Sequence, residues 1–195
     1  MIRKIKMLFV LISAIFIGGV FTGAYFSDNV STTNNIFTAG TWAVTPSASP
    51  TPPPSPASVV LNEYMPNPSG NDDDPMPQGE WVELYNNGGT ALDVDGWRIY
   101  DAAGAYVPII SGNIVGGSTV VPAGGYLVVY RNRYSFSLNN SGAETVYLYD
   151  GDIGSGTLVD SHSYSGSTED KTWARVPDGG GWSDGHVKTP GGPNV

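Results

Sequence analysis

The stretch "EWVELYNNGGTALDVDGWRIYD", residues 80–101, limits what this chain can fold into more than any other. Apolar and polar residues alternate, a glycine turn intervenes, and the alternation resumes. A side-chain period of two places Val82 and Leu84 on one face of a strand and Glu83 and Tyr85 on the other, a pattern no helix reproduces. The same grammar fills the rest of the chain from Val59 on. "SVVLNEYM", "STVVPAGGYLVVY", "ETVYLYD" and "LVDSHSYS" are short runs rich in Val, Leu and Tyr, bounded by Gly, Asn, Asp or Pro. Roughly six or seven such strands with no helical period between them predict an all-β fold, an antiparallel sandwich. Asp95-Gly96, Asp150-Gly151 and Asp178-Gly179 supply turn residues that tolerate positive φ. Trp97, just past the first of these, is expected to be a core aromatic. Pro122-Ala123-Gly124-Gly125 is expected to turn the chain back into a central strand.

What precedes Val59 is a different kind of polymer. Of the nine Lys and Arg residues, Arg3, Lys4 and Lys6 open the chain, and the apolar run "MLFVLISAIFIGGVF" and the small residues Thr22 and Ala24 follow. That layout predicts a signal peptide over residues 1–24, cleaved between Ala24 and Tyr25. The other reading is a membrane anchor over residues 7–26, the chain's one route to a membrane. Residues 25–44 are expected to form a short extended stub. Residues 45–58, "TPSASPTPPPSPAS", have no apolar period and predict a stiff polyproline II spacer of about 40 Å, at about 3.1 Å per residue.

With no cysteine, the fold rests on packing rather than on disulfides or thiolate-bound metal. The net charge of −9 becomes more negative once the basic N-terminus is removed, which argues against nucleic acid and anionic membrane surfaces as partners.

Catalytic chemistry finds little support. His162 and His186 stand in no zinc-ligand spacing, and neither a nucleophile elbow nor a phosphate-binding glycine loop occurs. Glu80 and Glu83 are offset by the strand period and make a poor hydrolytic pair. Asn62, Glu63 and Glu80 are expected to satisfy backbone groups of loops. The one candidate metal site is Asp72, Asp73 and Asp74 in "GNDDDP". Its hard oxygens suit calcium, but without the spacing of a preformed cage; no other cofactor is expected. Tyr85, Tyr100, Tyr147 and Tyr149 alternate with apolar positions and are the candidate outer face for an extracellular protein or glycan.

Two resemblances add to this reading. "VVLNEYMPNPSG", "EWVELYNNG", "LDVDGWRIYD", "VPAGGYLVVY", "VDSHSY", "TWARVPDGGGW" and "TPGGPN", in this order over residues 59–195, resemble the lamin tail domain of the type found in exported prokaryotic proteins. The resemblance implies an immunoglobulin-like antiparallel β-sandwich acting as a non-catalytic binding or adhesion module. Alternatively, it implies an accessory domain working with a separate extracellular nuclease or phosphatase. "AYFSDNVSTTNNIFTAGTWAV" is similar to the start of mature camelysin-type and biofilm-fibre proteins, which implies a shared export route.

Overall fold

The computed structural model describes residues 58–195. The signal segment 1–24 with its Ala24–Tyr25 cleavage, the stub 25–44 and the spacer up to residue 57 lie outside them. The described chain is all-β: β1 (Val59–Met65), β2 (Trp81–Asn86), β3 (Leu92–Asp93), β4 (Arg98–Tyr100), β5 (Tyr106–Pro108), β6 (Val120–Val121), β7 (Tyr126–Tyr130), β8 (Ala143–Tyr149), β9 (Leu158–Ser165), β10 (Thr172–Val176) and β11 (Gly181–His186). They form a five-stranded sheet in the order β11-β10-β1-β2-β7, a four-stranded sheet in the order β5-β4-β8-β9, and the small pair β3-β6. Every strand pair is antiparallel.

The alternation read in the sequence builds the core. Val82 and Leu84 of β2 meet Leu127 and Val129 of β7 on one inner face. Ile99 of β4, Val107 of β5 and Val146 and Leu148 of β8 form the other, and together they make one buried cluster. Phe136 and Leu138 seal it from the loop after β7. Two packed antiparallel sheets around a single apolar layer make this an immunoglobulin-like sandwich.

Two expectations are corrected, and one strand departs from the alternation of its neighbours. Trp97 packs against the core but is only half-buried, because it sits at the entry to β4 where the covering of the sheet ends. β7 is an edge strand rather than a central one, its outer side touched by a bridge between Ile114 and Val129. β1, central in its sheet, does not alternate: a register shift between Leu61 and Glu63 interrupts the period, and both of its faces are covered.

The second covering of β1 is the chain's C-terminal segment. The Thr189 N–H donates to both Glu63 carboxylate oxygens at 3.1 Å, and the Gly191 N–H donates to Glu83 Oε2 at 2.7 Å. The Asn194 side-chain amide donates to the carbonyls of Asn62 and Arg175 at 3.2 and 3.1 Å. The segment therefore lies as a strap across the outer face of the five-stranded sheet.

Candidate functional site

The four-stranded sheet points Ile99, Val107, Val146 and Leu148 inward, so its period of two turns Arg98, Tyr100, Tyr106, Tyr147 and Tyr149 outward. Antiparallel register then sets these side by side. Tyr100 stands opposite Tyr106 on one flank and Tyr147 on the other, and Arg98 stands opposite Tyr149. The Tyr100 ring lies 5.1 Å from that of Tyr106 and 5.6 Å, edge-on, from that of Tyr149. The Arg98 guanidinium sits 4.5 Å from the Tyr106 ring centre and is ion-paired with Asp152. These separations lie within the attractive range of aromatic and cation–π pairs, so the rings brace one another before any ligand arrives. Past Tyr147 the face becomes hydroxylic: Tyr147 pairs with Ser161, and the Thr145 and Ser163 hydroxyls are 2.8 Å apart.

The hairpin that brings Tyr106 beside Tyr100 is fixed by buried acids. The Asp101 carboxylate accepts the N–H of Ala105 at 2.9 Å and of Ser137 at 3.0 Å, and Glu144 accepts the Ala102 N–H at 2.8 Å. Gly104 turns the chain at φ 85°, where a side chain would be strained.

Two of the four expected tyrosines need correction. Tyr100 is only 5% exposed: it is the floor on which Tyr106 and Tyr149 rest, and its hydroxyl accepts the Ile153 N–H. Tyr85 lies on the other sheet, its ring 5.2 Å from that of Tyr126 and under the turn at Gly179. Tyr147 and Tyr149 are half-buried on the expected face. Arg98 and Tyr106 were missed. The signal for them is the pair "RIY" and "YVP" flanking a Gly104 turn, a short hairpin whose alternation points Arg98, Tyr100, Tyr106 and Pro108 the same way.

Asp72, Asp73 and Asp74 do not converge. Asp72 accepts the Asn140 side-chain amide, Asp74 accepts the Asn71 N–H, and Asp73 is exposed. Among the described residues no group of three His, Asp or Glu side chains is gathered as for a metal ion.

Glu63, Glu80 and Glu83 are fully buried; loops claim the oxygens of Glu63 and Glu80 as expected, and that of Glu83 as well, which the sequence did not indicate. Glu80 accepts the Leu138 N–H at 2.9 Å and the Arg131 guanidinium at 2.9 Å, pinning the loop after β7. Glu83 accepts the Asn62 amide at 2.9 Å beside the strap's Gly191. Burial pushes the Glu80 and Glu83 carboxyls up to about 8, against the opposing pull of these donors.

His162 lies between the sheets, its ring stacked 4.2 Å from that of Trp182 and its Nδ1 2.6 Å from the Tyr64 hydroxyl. Burial, with help from the Arg175 charge, holds the imidazole down at about 4, and burial raises the Tyr64 phenol above its ordinary range. The phenol is therefore the donor and the imidazole a neutral acceptor. Ser183 and His186 meet at 2.7 Å within the edge strand β11.

A two-sheet antiparallel sandwich with its polar groups tied into loops and one braced aromatic face is an immunoglobulin-like module. The family model for the Lamin Tail Domain matches residues 52–166, and the chain belongs to that family. β10 and β11 lie beyond the matched span yet complete the same five-stranded sheet. No curated protein and no solved structure matches the chain.

Proposed function

We propose that this chain is an exported, non-catalytic binding module that holds an extracellular glycan or protein at the cell surface through Tyr106, Tyr147 and Tyr149. The observation that carries this reading is the tyrosine face braced by Arg98, a prepositioned surface with a hydroxyl rim. Aromatic rings with polar tips bury apolar area while keeping hydrogen-bonding groups at the edge, which suits the faces of a polysaccharide. The excess of acidic residues disfavours phosphate-rich ligands. The N-terminal pattern supports export, with a signal removed between Ala24 and Tyr25 or an anchor kept over residues 7–26, and with residues 45–58 as the spacer that holds the sandwich clear of the surface. No cofactor enters this reading, and calcium at Asp72–Asp74 is not required for it.

The test is capture on arrays of glycans and cell-wall polymers. Tyr149→Ala and Tyr106→Ala should each weaken capture about tenfold, equal to about 1.4 kcal/mol, with the melting temperature nearly unchanged. Capture that ignores both substitutions sinks the proposal. Recovery of a nuclease or phosphatase from culture medium on this same face would favour the accessory-domain reading instead.

A further inference from the structure

The tyrosine face lies in an acidic frame. The two hairpins that form it, residues 98–108 and 143–165, contain one Arg, Arg98, no Lys, and five acids, Asp101, Glu144, Asp150, Asp152 and Asp160. Two of these acids are matched by cations: Asp152 by Arg98, and Asp160 by Arg175 of β10 at 2.9 Å. The other three accept only backbone N–H groups, Asp101 from Ala105 and Ser137, Glu144 from Ala102 and Thr145, and Asp150 from Thr157. Such bonds satisfy the oxygens and leave the negative charge in place.

Register fixes where these charges fall. Tyr100 pairs with Tyr147 and Arg98 with Tyr149, so Asp101 and Glu144 lie at one end of the row of rings, and Asp150 and Asp152 at the other. Carboxylates of one sign around a common face raise the local concentration of cations there. Asp101 and Glu144 are each only 4% exposed, and charges withdrawn from water are screened less by salt than surface ones. The rings add to the attraction, because the face of a tyrosine is the negative part of its quadrupole. The molecule already seats one cation this way, Arg98 on Tyr106. Among the described residues the only other such contact is Arg175 on Trp182, so Tyr147 and Tyr149 hold no cation of the chain itself.

Taking the binding role of this face as given, we propose that its ligand is a cationic glycan, a polysaccharide of sugars with free amino groups. Its ammonium groups rest on Tyr147 and Tyr149, and its hydroxyls meet Thr145, Ser161 and Ser163. A sugar polymer fits better than a lysine-bearing peptide, because both rings stand on β8. This inner strand is paired with β4 on one side and β9 on the other, so it offers a peptide no free main-chain partners. The exposed hydroxyls of Ser161 and Ser163 instead suit the edge of a sugar ring. Polymers bearing phosphate or carboxylate groups are repelled by the same frame.

The experiment titrates the full chain with an oligomer of β-linked glucosamine and with the same oligomer fully N-acetylated, two ligands that share a backbone and differ in charge. The free-amine oligomer should bind about tenfold more tightly, the effect of two exposed cation–π contacts. Its advantage should shrink as salt is added, and again as rising pH removes the ammonium protons. Asp150→Asn and Asp152→Asn should each reduce the preference, and Tyr149→Ala should remove most of it. Glu169→Gln, at an exposed acid outside both hairpins, should leave it unchanged. Equal or tighter binding of the acetylated oligomer overturns the proposal while the binding reading stands. Binding of neither oligomer also overturns it; the binding reading falls only if Tyr106→Ala and Tyr149→Ala make no difference to whatever polymer the arrays capture. An oligolysine of equal charge that binds as tightly as the amino sugar overturns it in favour of a peptide. A preference reduced as much by Glu169→Gln as by Asp150→Asn overturns it too, since the attraction would then belong to the overall charge of the chain.

Discussion

Single residues carry most of the tension in this fold, because it buries acids that a sequence reading places on an outward face. Glu83 follows the alternation of β2 correctly and points away from the core, yet it is fully buried. What covers it is the strap, some hundred residues further on, which no local pattern reveals. A pH dependence follows from these acids. A carboxyl raised from about 4.5 to about 8 in the folded state keeps its proton where the unfolded chain has lost it. Glu80 and Glu83 therefore stabilise fully below pH 4.5, and that contribution is lost as pH rises through 8. His162, lowered from 6.5 to about 4, acts in the opposite sense: its contribution is complete above pH 6.5 and is lost as pH falls through 4. The two effects overlap below pH 6.5 and separate above it. Urea midpoints are expected to fall steadily between pH 6.5 and 8, and Glu80→Gln should flatten that slope. A slope indifferent to this change would place the titrating group elsewhere.

At the scale of elements, the long alternating strands were legible and the short ones were not. β2 and β8 follow their predicted faces residue for residue, because each lies against a continuous core layer. The run "LDVDGWRIY" instead divides into β3 and β4, and "STVVPAGGYLVVY" into β6 and β7, each broken by the turn residues it contains. β5 has only three residues, too few for a period to register. The strap has no period at all, since its order comes from hydrogen bonds to β1, β2 and the turn after β10. Asn194 is its anchor: besides its two amide bonds it accepts the Thr189 hydroxyl at 2.8 Å and donates its N–H to Asp178 at 3.0 Å. Asn194→Ala strands the buried carbonyls of Asn62 and Arg175, at a cost of about 1–3 kcal/mol. Thermal melting should show a drop of several degrees, and an unchanged melting temperature would mean that the strap contributes nothing to stability.

For the whole molecule, the boundary of the folded unit is decided by sheet topology, not by where the family pattern ends. The family model's match stops at residue 166, yet β10 lies between β11 and β1, and the strap covers the outer face of β1. A chain ending at residue 166 would leave β1 as an open edge strand and remove the backbone N–H partners of the buried Glu63 and Glu83. It would also remove Trp173 and Trp182 from around Tyr64 and His162, opening that flank of the core. Each of these losses is of the size that decides whether a marginally stable domain folds. Residues 59–195 should therefore give a cooperative melt and a dispersed proton–nitrogen spectrum characteristic of a β-protein, whereas residues 59–166 should give neither. The tyrosine face makes the comparison informative, because every residue that builds it, from Arg98 to Ser163, is present in both fragments. If the shorter fragment folds and still captures the ligand, β10, β11 and the strap are an addition to a self-sufficient sandwich. If it fails while the longer one binds, the face depends on a sheet it never touches, through the single core layer the two sheets share.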